Sequence, residues 1–447
     1  MMTYSASSMS KGRILFMKNR NSLALILMII IVGFLNADQN IMNATLPMIE
    51  KEFNVNDYDI GVMSALFTVV GAVISIIWGY LSDKKNRKIL FTVSILIAEI
   101  PCLLTAFSQN YDQFFILRIL TGIGVGASFP TTFSMLGDMY DEKKRAGAVT
   151  WMVTVMGIGQ IVGQVLGGYL GPSFGWRMPF ILATIPGIVA IVFFYLLVPE
   201  PKRGASEESL KDLIAEGYVY SRTVKLSDYL GLIKVKTNVF LFVQGLVGTI
   251  PWGAIPLFLI KYLNENRGFS IEQATTVFIF FGLGTVVGTV VGGAWGGKLF
   301  KKNAAFVPLL CAITTFGGSL VALMIFVLPL GNNLIVTILL GFMASFILTI
   351  TSANVKVMLM DVNVPENRGT IYSVFNLTDS VGTGIGKFVG GALSVYVGMS
   401  AALSISVTMW VPCAILLLIM SFVFKEDITK MHKKLEVVAT EMTQEVK

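Results

Sequence analysis

Long apolar runs are the feature of this sequence that most constrains its fold. Examples are Leu23–Leu35, Ile60–Trp78, Ile89–Phe107, Ile181–Val198, Val239–Ile260 and Ala401–Phe424. A helix of about 20 apolar residues crosses the hydrocarbon core of a bilayer, and a soluble protein buries one such helix rather than a dozen. Only 14% of the 447 residues are charged, whereas a typical soluble protein has about 25%. The sequence therefore predicts an integral membrane protein.

These runs predict an all-α membrane protein with twelve transmembrane helices in two six-helix, pseudo-symmetric halves. The predicted spans are residues 22–47, 58–81, 88–107, 114–138, 148–170, 177–198, 239–262, 272–297, 304–328, 334–359, 371–397 and 401–424. They define a cytoplasmic N-terminal segment (1–21), an N-terminal bundle (22–198), a cytoplasmic central loop (199–238), a C-terminal bundle (239–424) and a cytoplasmic tail (425–447). The first run is too long for a signal peptide, so we expect it to be retained. In the central loop, Ser209–Tyr220 is predicted to form a surface helix.

The distribution of Lys and Arg predicts the orientation. Connections rich in cations, such as Lys84–Lys88, Lys143–Arg145 and the central loop, alternate with cation-poor ones such as Ser108–Gln113 and Gly398–Ser400. Short loops rich in Lys and Arg stay in the cytoplasm. We therefore expect a multi-pass protein of the cytoplasmic membrane with both termini in the cytoplasm. Topology also accounts for the net charge of +7, so no nucleic-acid partner is expected.

The two halves share a pattern at a constant shift of 223 positions. Asp138 and Arg145 recur as Asp361 and Arg368, and the glycines at 163, 167 and 168 recur at 386, 390 and 391. Transporters with parallel repeats place their site at the repeat interface, near the membrane midplane. The repeat therefore predicts two halves that move against each other and give alternating access.

Several motifs resemble those of the major facilitator superfamily. Gly79-Tyr-Leu-Ser-Asp83-Lys-Lys-Asn-Arg87-Lys88 resembles the signature loop between its second and third helices, and Arg118 with Gly122, Gly124 and Gly126 resembles its fourth-helix motif. Gly159–Gly168 resembles its fifth-helix glycine motif, and Gly175-Trp-Arg177 also fits. Asn36-Ala-Asp38-Gln-Asn and Pro199-Glu-Pro-Lys-Arg203 resemble the spinster-like branch, although Gln39 and Val125 stand where a base and an acid are expected. The resemblance implies the major facilitator fold and, for that branch, a lysolipid-like solute.

Asp38 and Arg118 are the first candidates for chemistry. An ionisable residue inside a membrane helix costs about 2.5–3.5 kcal/mol on insertion scales, so it faces a cavity or a partner. Both residues lie at similar depth in the outer half of their predicted spans. We predict an Asp38–Arg118 interaction that competes with protonation of Asp38 and couples transport to protons. The alternative is a static ion pair that packs the two helices together.

Three further charges lie inside predicted spans. Lys387, near the middle of the eleventh span, suits an anionic group of a solute, or it pairs with Asp379 two turns earlier or with a group in the other half. Glu99 lies in the third span, which the family resemblance makes peripheral, so a structural pairing is the favoured interpretation. Lys356, near a helix end, is interpreted as a snorkelling side chain.

Polar and aromatic residues in the spans complete the predicted solute and proton pathway. They are Gln160, Gln164, Gln244, Asn354, Asn376, Trp151 and Trp252. Each amide is equally able to bond a neighbouring helix, and each ring to pack against one.

Charges at one set of helix ends predict a cytoplasmic gate. The residues are Gly79, Asp83, Arg87, Lys88, Asp138, Arg145, Asp361 and Arg368. Charge-assisted bonds are strong when formed, and exposed pairs contribute little once hydrated, which suits a latch. The alternative is that these charges only determine topology.

The sequence predicts a secondary transporter for a small organic solute, anionic or amphiphilic, coupled to protons. Cys102, Cys311 and Cys413 lie in apolar runs and the single histidine, His432, lies in the tail, so no metal site or cofactor is expected. No nucleophile–base cluster indicates an enzyme. We expect a monomer whose other partners are membrane lipids. A multidrug exporter, a channel and a membrane receptor or sensor remain as alternatives.

Overall fold

The computed structural model describes the backbone of residues 4–140, 142–200, 231–363 and 368–445. Between residues 22 and 433 it also describes the side chains, except in the gaps between these ranges and at residues 83, 84, 129, 137, 138, 142–146 and 368–370. Within these parts the fold is helical and contains no strand. The predicted surface helix at 209–220 lies outside the described residues.

The helices of the first half run from α1 to α7. Their bounds are α1 Tyr4–Phe53, α2 Asp57–Lys84, α3 Arg87–Thr105, α4 Tyr111–Met139, α5 Glu142–Val165, α6 Gly171–Phe174 and α7 Arg177–Leu197. A π-helical segment, Leu166–Leu170, joins α5 to α6.

The helices of the second half run from α8 to α14. Their bounds are α8 Lys236–Arg267, α9 Ile271–Lys302, α10 Phe306–Val327, α11 Leu334–Asp361, α12 Arg368–Val397, α13 Met399–Thr408 and α14 Trp410–Glu445. The last helix thus continues well beyond the predicted span into the tail.

Eleven helical stretches of the described chain are long and apolar enough to cross a membrane. They coincide with eleven of the twelve predicted spans, with ends that differ by up to nine residues. Helix α12 coincides with the remaining predicted span, the eleventh, at 371–397, but it is interrupted by polar residues including Asn376, Asp379 and Lys387. The predicted set of membrane-spanning helices is therefore confirmed, and α12 is its most polar member.

Short polar residues determine where several helices begin. The side chains of Asn86, Asn110 and Asn333 accept a hydrogen bond from the backbone N–H three residues later, at the starts of α3, α4 and α11. Ser270 and Gln273 form a reciprocal capping box at the start of α9. Each cap satisfies donors that a helix N-terminus otherwise leaves without a partner.

The chain forms two compact units. The first contains Met1–Phe53 and Val70–Ser221, and the second contains Asn54–Val69 and Arg222–Lys447. In the first, α1 packs on α5 and α7, and α3 packs on α4. In the second, α8 packs on α12, α9 on α11 and α10 on both α11 and α14. Each unit has its own apolar core, built around Met28 and Phe91 in one and Met358 and Phe424 in the other.

The repeated glycines perform the same packing role in both units. A Cβ atom added at Gly163 would overlap the carbonyl oxygen of Ala37, and one added at Gly386 would overlap that of Ile250. Glycine thus allows α5 to approach the backbone of α1, and α12 to approach that of α8. The repeat seen in the sequence therefore corresponds to equivalent helix contacts.

Two turns also obey the shift of 223 positions. Gly175 and Gly398 precede α7 and α13 with almost identical backbone angles, φ 83° and ψ 155° against φ 84° and ψ 156°. Positive φ favours glycine because it has no Cβ. After the first turn, Trp176 Nε1 donates to Glu52 Oε2 at 2.6 Å and Arg177 forms a 2.6 Å salt bridge with Glu52, which ties α7 to the end of α1.

We expect Gly163→Ala to lower the free energy of unfolding by about 1–3 kcal/mol, because the added methyl group overpacks the α1–α5 contact. Thermal unfolding of the purified protein in detergent measures this change. The matched control is Gly157→Ala on the same helix, where an added Cβ meets nothing within 4 Å. Equal melting temperatures for the two variants would contradict the packing role of Gly163.

Candidate functional site

Three charged side chains are buried together in the first unit. Asp38 of α1, Glu99 of α3 and Arg118 of α4 have exposed fractions of 0%, 0% and 2%. Asp38 interacts electrostatically with Arg118, and Glu99 interacts with Asp38. The cluster therefore brings two carboxyl groups to one guanidinium in an apolar environment, where burial of an unbalanced charge is costly.

The surroundings of this cluster supply few donors to the acids. All four carboxylate oxygens of Asp38 and Glu99 are buried without a hydrogen-bond donor among the described residues. Arg118 Nη1 donates to the sulfur of Cys102 at 3.7 Å, and its guanidinium lies 5.8 Å from the centre of the Phe180 ring. Burial of the two carboxyl groups without such donors is costly while both are charged.

Helix α7 makes room for Glu99. A Cβ atom added at Gly187 would lie 2.5 Å from Glu99 Oε1, so a larger residue would displace the carboxyl group. Glu99 interacts electrostatically with Asp38, and the structural pairing that the sequence favoured for Glu99 stays a prediction.

The second unit contains a cavity of about 300 Å³. Its walls include Gln244 and Trp252 of α8, Lys356 of α11, Phe375 and Asp379 of α12, and Trp410 of α14. Trp252 and Trp410 meet edge to face with ring centroids 5.7 Å apart. The cavity therefore combines aromatic surface with an acid, a base and an amide.

Three predicted pathway residues meet at this cavity: Gln244, Trp252 and Asp379. Gln244 Nε2 donates to Cys413 Sγ at 3.4 Å, which leaves its Oε1 without a partner among the described residues. The sequence did not identify Trp410 as a wall residue. Nor did it identify Lys356 as a wall residue; Lys356 is exposed, and its interpretation as a snorkelling side chain stays a prediction.

The other predicted amides and the second tryptophan lie elsewhere. Asn354 donates to the carbonyl oxygens of Gly292 and Ile350, at 3.0 and 2.8 Å, so it joins α11 to α9. Gln164 is fully buried, and neither of its amide atoms has a partner in the described part of the chain. Gln160 and Asn376 are exposed, and Trp151 has an exposed fraction of 61%. Whether these residues touch a solute stays a prediction.

Lys387 bonds to a residue of α2, in the other half of the sequence, rather than to Asp379. Its Nζ donates to Thr68 Oγ1 at 2.8 Å, and it lies 6.0 Å from the centre of the Phe67 ring. The electrostatic neighbour of Asp379 is Lys356. The Lys387–Asp379 pair is therefore not formed, and a role for Lys387 in anion binding stays a prediction.

A second polar cluster near Lys387 was missed by the sequence analysis. Lys261 and Asp57 form a 2.5 Å salt bridge, and Ser394 Oγ donates to the other oxygen of Asp57 at 2.8 Å. This cluster joins the first turn of α2 to α8 and α12. No pattern in the sequence brings Asp57 near Lys261, because they lie 204 positions apart.

Part of the predicted cytoplasmic gate can be described. Arg87 Nε donates to the carbonyl oxygen of Ser82 at 3.1 Å, and Lys88 Nζ lies 4.9 Å from the centre of the Tyr195 ring. A Cβ atom added at Gly79 would meet nothing within 4 Å, and Asp361 is half-buried. The side chains of Asp83, Asp138, Arg145 and Arg368 lie outside the described residues. The latch therefore stays a prediction.

Glu200, which sequence reasoning did not select, holds the start of α3. Its two carboxylate oxygens accept hydrogen bonds from the backbone N–H groups of Arg87 and Lys88, both at 2.8 Å. A carboxylate at a helix N-terminus accepts hydrogen bonds from the unpaired backbone N–H groups and interacts favourably with the positive end of the helix dipole. Glu200 thus connects the end of α7 to the loop for which the sequence predicts a gate.

The family profile of the Major Facilitator Superfamily matches residues 28–325. The chain belongs to this superfamily. It is a multi-pass membrane transporter and not an enzyme, as the sequence predicted.

Within the superfamily the chain is similar to transporters of more than one kind. A sphingosine-1-phosphate transporter of Danio rerio is 25% identical over 337 residues, which cover 72% of this chain and 66% of the relative. A cis,cis-muconate transport protein of Acinetobacter baylyi is 24% identical over 304 residues, which cover 65% of this chain and 72% of the relative. The chain therefore spans about two thirds to three quarters of the length of these relatives.

A solved structure confirms the fold. A bacterial homolog of the human lysosomal transporter Spinster, in an inward-facing and unoccupied conformation, superposes with a TM-score of 0.76 at 17% sequence identity. The superposition covers 93% of this chain and 98% of that protein. The major facilitator fold inferred from the loop and glycine motifs is thus confirmed.

We expect Glu200→Ala to destabilise the protein by about 1 kcal/mol, because it removes the acceptor of two N–H groups at the start of α3. Thermal unfolding in detergent measures the loss. The control is Glu272→Ala in the first turn of α9, where Ser270 and Gln273 already cap the helix. An effect of Glu200→Ala no larger than that of the control would show that the cap is dispensable.

Proposed function

We propose that this protein is a proton-coupled secondary transporter that moves a small anionic or amphiphilic organic solute by alternating access. The observation that carries the proposal is the buried cluster of Asp38, Glu99 and Arg118 in a member of a transporter superfamily. Two acids and one base are electrically neutral together when one acid holds a proton. A buried group of this kind favours exchange of one proton as its access to water changes.

The solute class is supported by the relatives and by the second unit. The two relatives are named for sphingosine-1-phosphate and cis,cis-muconate, and both names denote organic anions. The aromatic walls of the cavity, Trp252, Phe375 and Trp410, suit an apolar part of a solute, and its charged walls suit a head group. Lys387 is a further candidate for an anionic group.

We expect Asp38→Asn to abolish solute accumulation driven by a pH gradient while solute exchange continues, because the neutral amide cannot release a proton. Purified protein in liposomes is tested with radiolabelled cis,cis-muconate and sphingosine-1-phosphate. Accumulation is measured with an imposed pH gradient, and counterflow is measured without one. Glu99→Gln is likewise expected to abolish accumulation and to leave counterflow intact.

The matched control for both variants is Asp112→Asn, an exposed acid in the first turn of α4, which should leave accumulation unchanged. Fully proton-dependent accumulation by Asp38→Asn would refute the coupling site. Flux of either probe in wild type without counterflow would indicate a channel, and export of unrelated drugs would indicate a multidrug exporter. Binding without any flux would indicate a receptor.

We also propose that the protein lies in the cytoplasmic membrane with both termini in the cytoplasm. The support is the alternation of cation-rich and cation-poor connections. The two ends of α9 agree with this division: Lys301 and Lys302 end α9, whereas Ser270 and Glu272 begin it.

A cysteine replacing Gln109 is expected to react in whole cells with a maleimide that cannot cross membranes, and one replacing Lys301 only after the membrane is permeabilised. Both positions are exposed, and the three native cysteines are buried, so background labelling should be low. The reverse pattern would mean that the orientation is inverted. Equal labelling at both sites in intact cells would rule out this placement of the loops.

A further inference from the structure

Four aromatic side chains of the first unit pack together at one end of its helices. They are Phe53, Phe114, Trp176 and Phe180, and we call them the aromatic layer. Phe53 and Phe114 have ring centroids 5.6 Å apart, and each lies 5.7 Å from Trp176. Trp176 lies 6.0 Å from Phe180, edge to face. The four rings therefore form one continuous apolar body.

The layer closes the end of the unit at which α1 ends and α4 and α7 begin. Phe53 is the last residue of α1, Phe114 lies in the first turn of α4, and Trp176 directly precedes α7. Phe114, Trp176 and Phe180 have exposed fractions of 0%, 3% and 0%. In the orientation proposed above, this end faces the outside of the cell.

The inner side of the layer touches the charged cluster. The guanidinium of Arg118 lies 5.8 Å from the centre of the Phe180 ring. Phe114 precedes Arg118 by one turn of α4, which is about 6 Å along the helix axis. Arg118 is in turn the electrostatic neighbour of Asp38. The rings thus lie between this end of the helices and the charges.

Polar contacts at the rim hold the layer in place. Glu52 accepts a hydrogen bond from Trp176 Nε1 and pairs with Arg177, both at 2.6 Å. Arg177 Nη2 also donates to the carbonyl oxygen of Ser108, just beyond α3, at 2.9 Å, and its guanidinium lies 4.4 Å from the centre of the Trp176 ring. The ends of α1, α3 and α7 are therefore tied together around the rings.

We propose that the aromatic layer is a hydrophobic seal that prevents water at this end of the unit from reaching Asp38, Glu99 and Arg118. This inference rests on the proposed proton coupling and adds the part of the protein that prevents leakage. Protons move along chains of water, and an apolar constriction excludes such chains by dewetting. With the seal in place, the two acids exchange protons only through the solute pathway, so the gradient is not dissipated.

Cys102 provides a native reporter of water at the cluster, because it is fully buried and its sulfur accepts a hydrogen bond from Arg118. We expect Phe114→Ala and Phe180→Ala to speed the reaction of Cys102 with a small charged methanethiosulfonate by at least about tenfold, because a buried thiol reacts only when the structure around it opens. The rate is measured on the purified full-length protein in lipid nanodiscs, in a Cys311→Ala, Cys413→Ala background.

The matched control is Phe194→Ala. Phe194 is as deeply buried and packs on the ring of Phe91 at 5.1 Å, but it lies near the end of α7 rather than at its beginning. This variant should lower the melting temperature by a similar amount and leave the reaction rate of Cys102 unchanged. If an alanine variant of the layer does not fold, Phe53→Ala gives the same test, because it shortens a half-buried ring at the rim.

Proton leak is the second measurement. Liposomes with a trapped pH dye, an imposed membrane potential and no solute should acidify several times faster with Phe180→Ala than with wild type. Adding Asp38→Asn to the same chain should restore the wild-type rate, because the leak then lacks its proton carrier.

Rapid reaction of Cys102 in the wild type would overturn the seal. So would layer variants that react no faster than Phe194→Ala. Faster reaction without any proton leak would support the seal and refute proton coupling at Asp38. Normal gradient-driven accumulation by the wild type, together with unchanged reaction rates in the layer variants, would refute the seal alone.

Discussion

The close contact between helix backbones, made possible by glycine, is the interaction on which both units depend. Inside a bilayer the lipid tails are as apolar as the side chains, so helices associate through packing and hydrogen bonds rather than by escaping water. The contact of Gly163 with Ala37 lies directly beside Asp38, and the contact of Gly245 involves the carboxyl group of Asp379. The same packing that holds the helices together therefore also positions the two principal acids.

The two units share a scaffold but carry different charges on it. The first surrounds one base with two acids, whose oxygens lack donors, and this excess suits the binding of a proton. The second separates one acid from one base across a cavity with aromatic walls. A duplicated packing pattern has thus been combined with two distinct arrangements of ionisable groups. As proposed, proton coupling would reside mainly in the first unit and solute recognition mainly in the second.

The sequence predicted the helices well because the length of an apolar run and the position of cations follow directly from the bilayer. It also predicted the equivalence of Gly163 and Gly386, since the spacing of small residues survives in the primary structure. It could not predict which side chains meet, because that depends on the rotation of each helix about its axis. Glu99, Lys356 and Glu200 therefore acquired their partners only in the structure.

The polarity of α12 has a consequence for how the protein is made. A segment that carries Asp379 and Lys387 pays about 2.5–3.5 kcal/mol for each charge placed at the centre of a membrane helix. Its glycines, however, fit closely against the backbone of α8. We therefore expect this segment to enter the membrane more favourably beside helices that are already inserted, because α8 then offers it a packing partner.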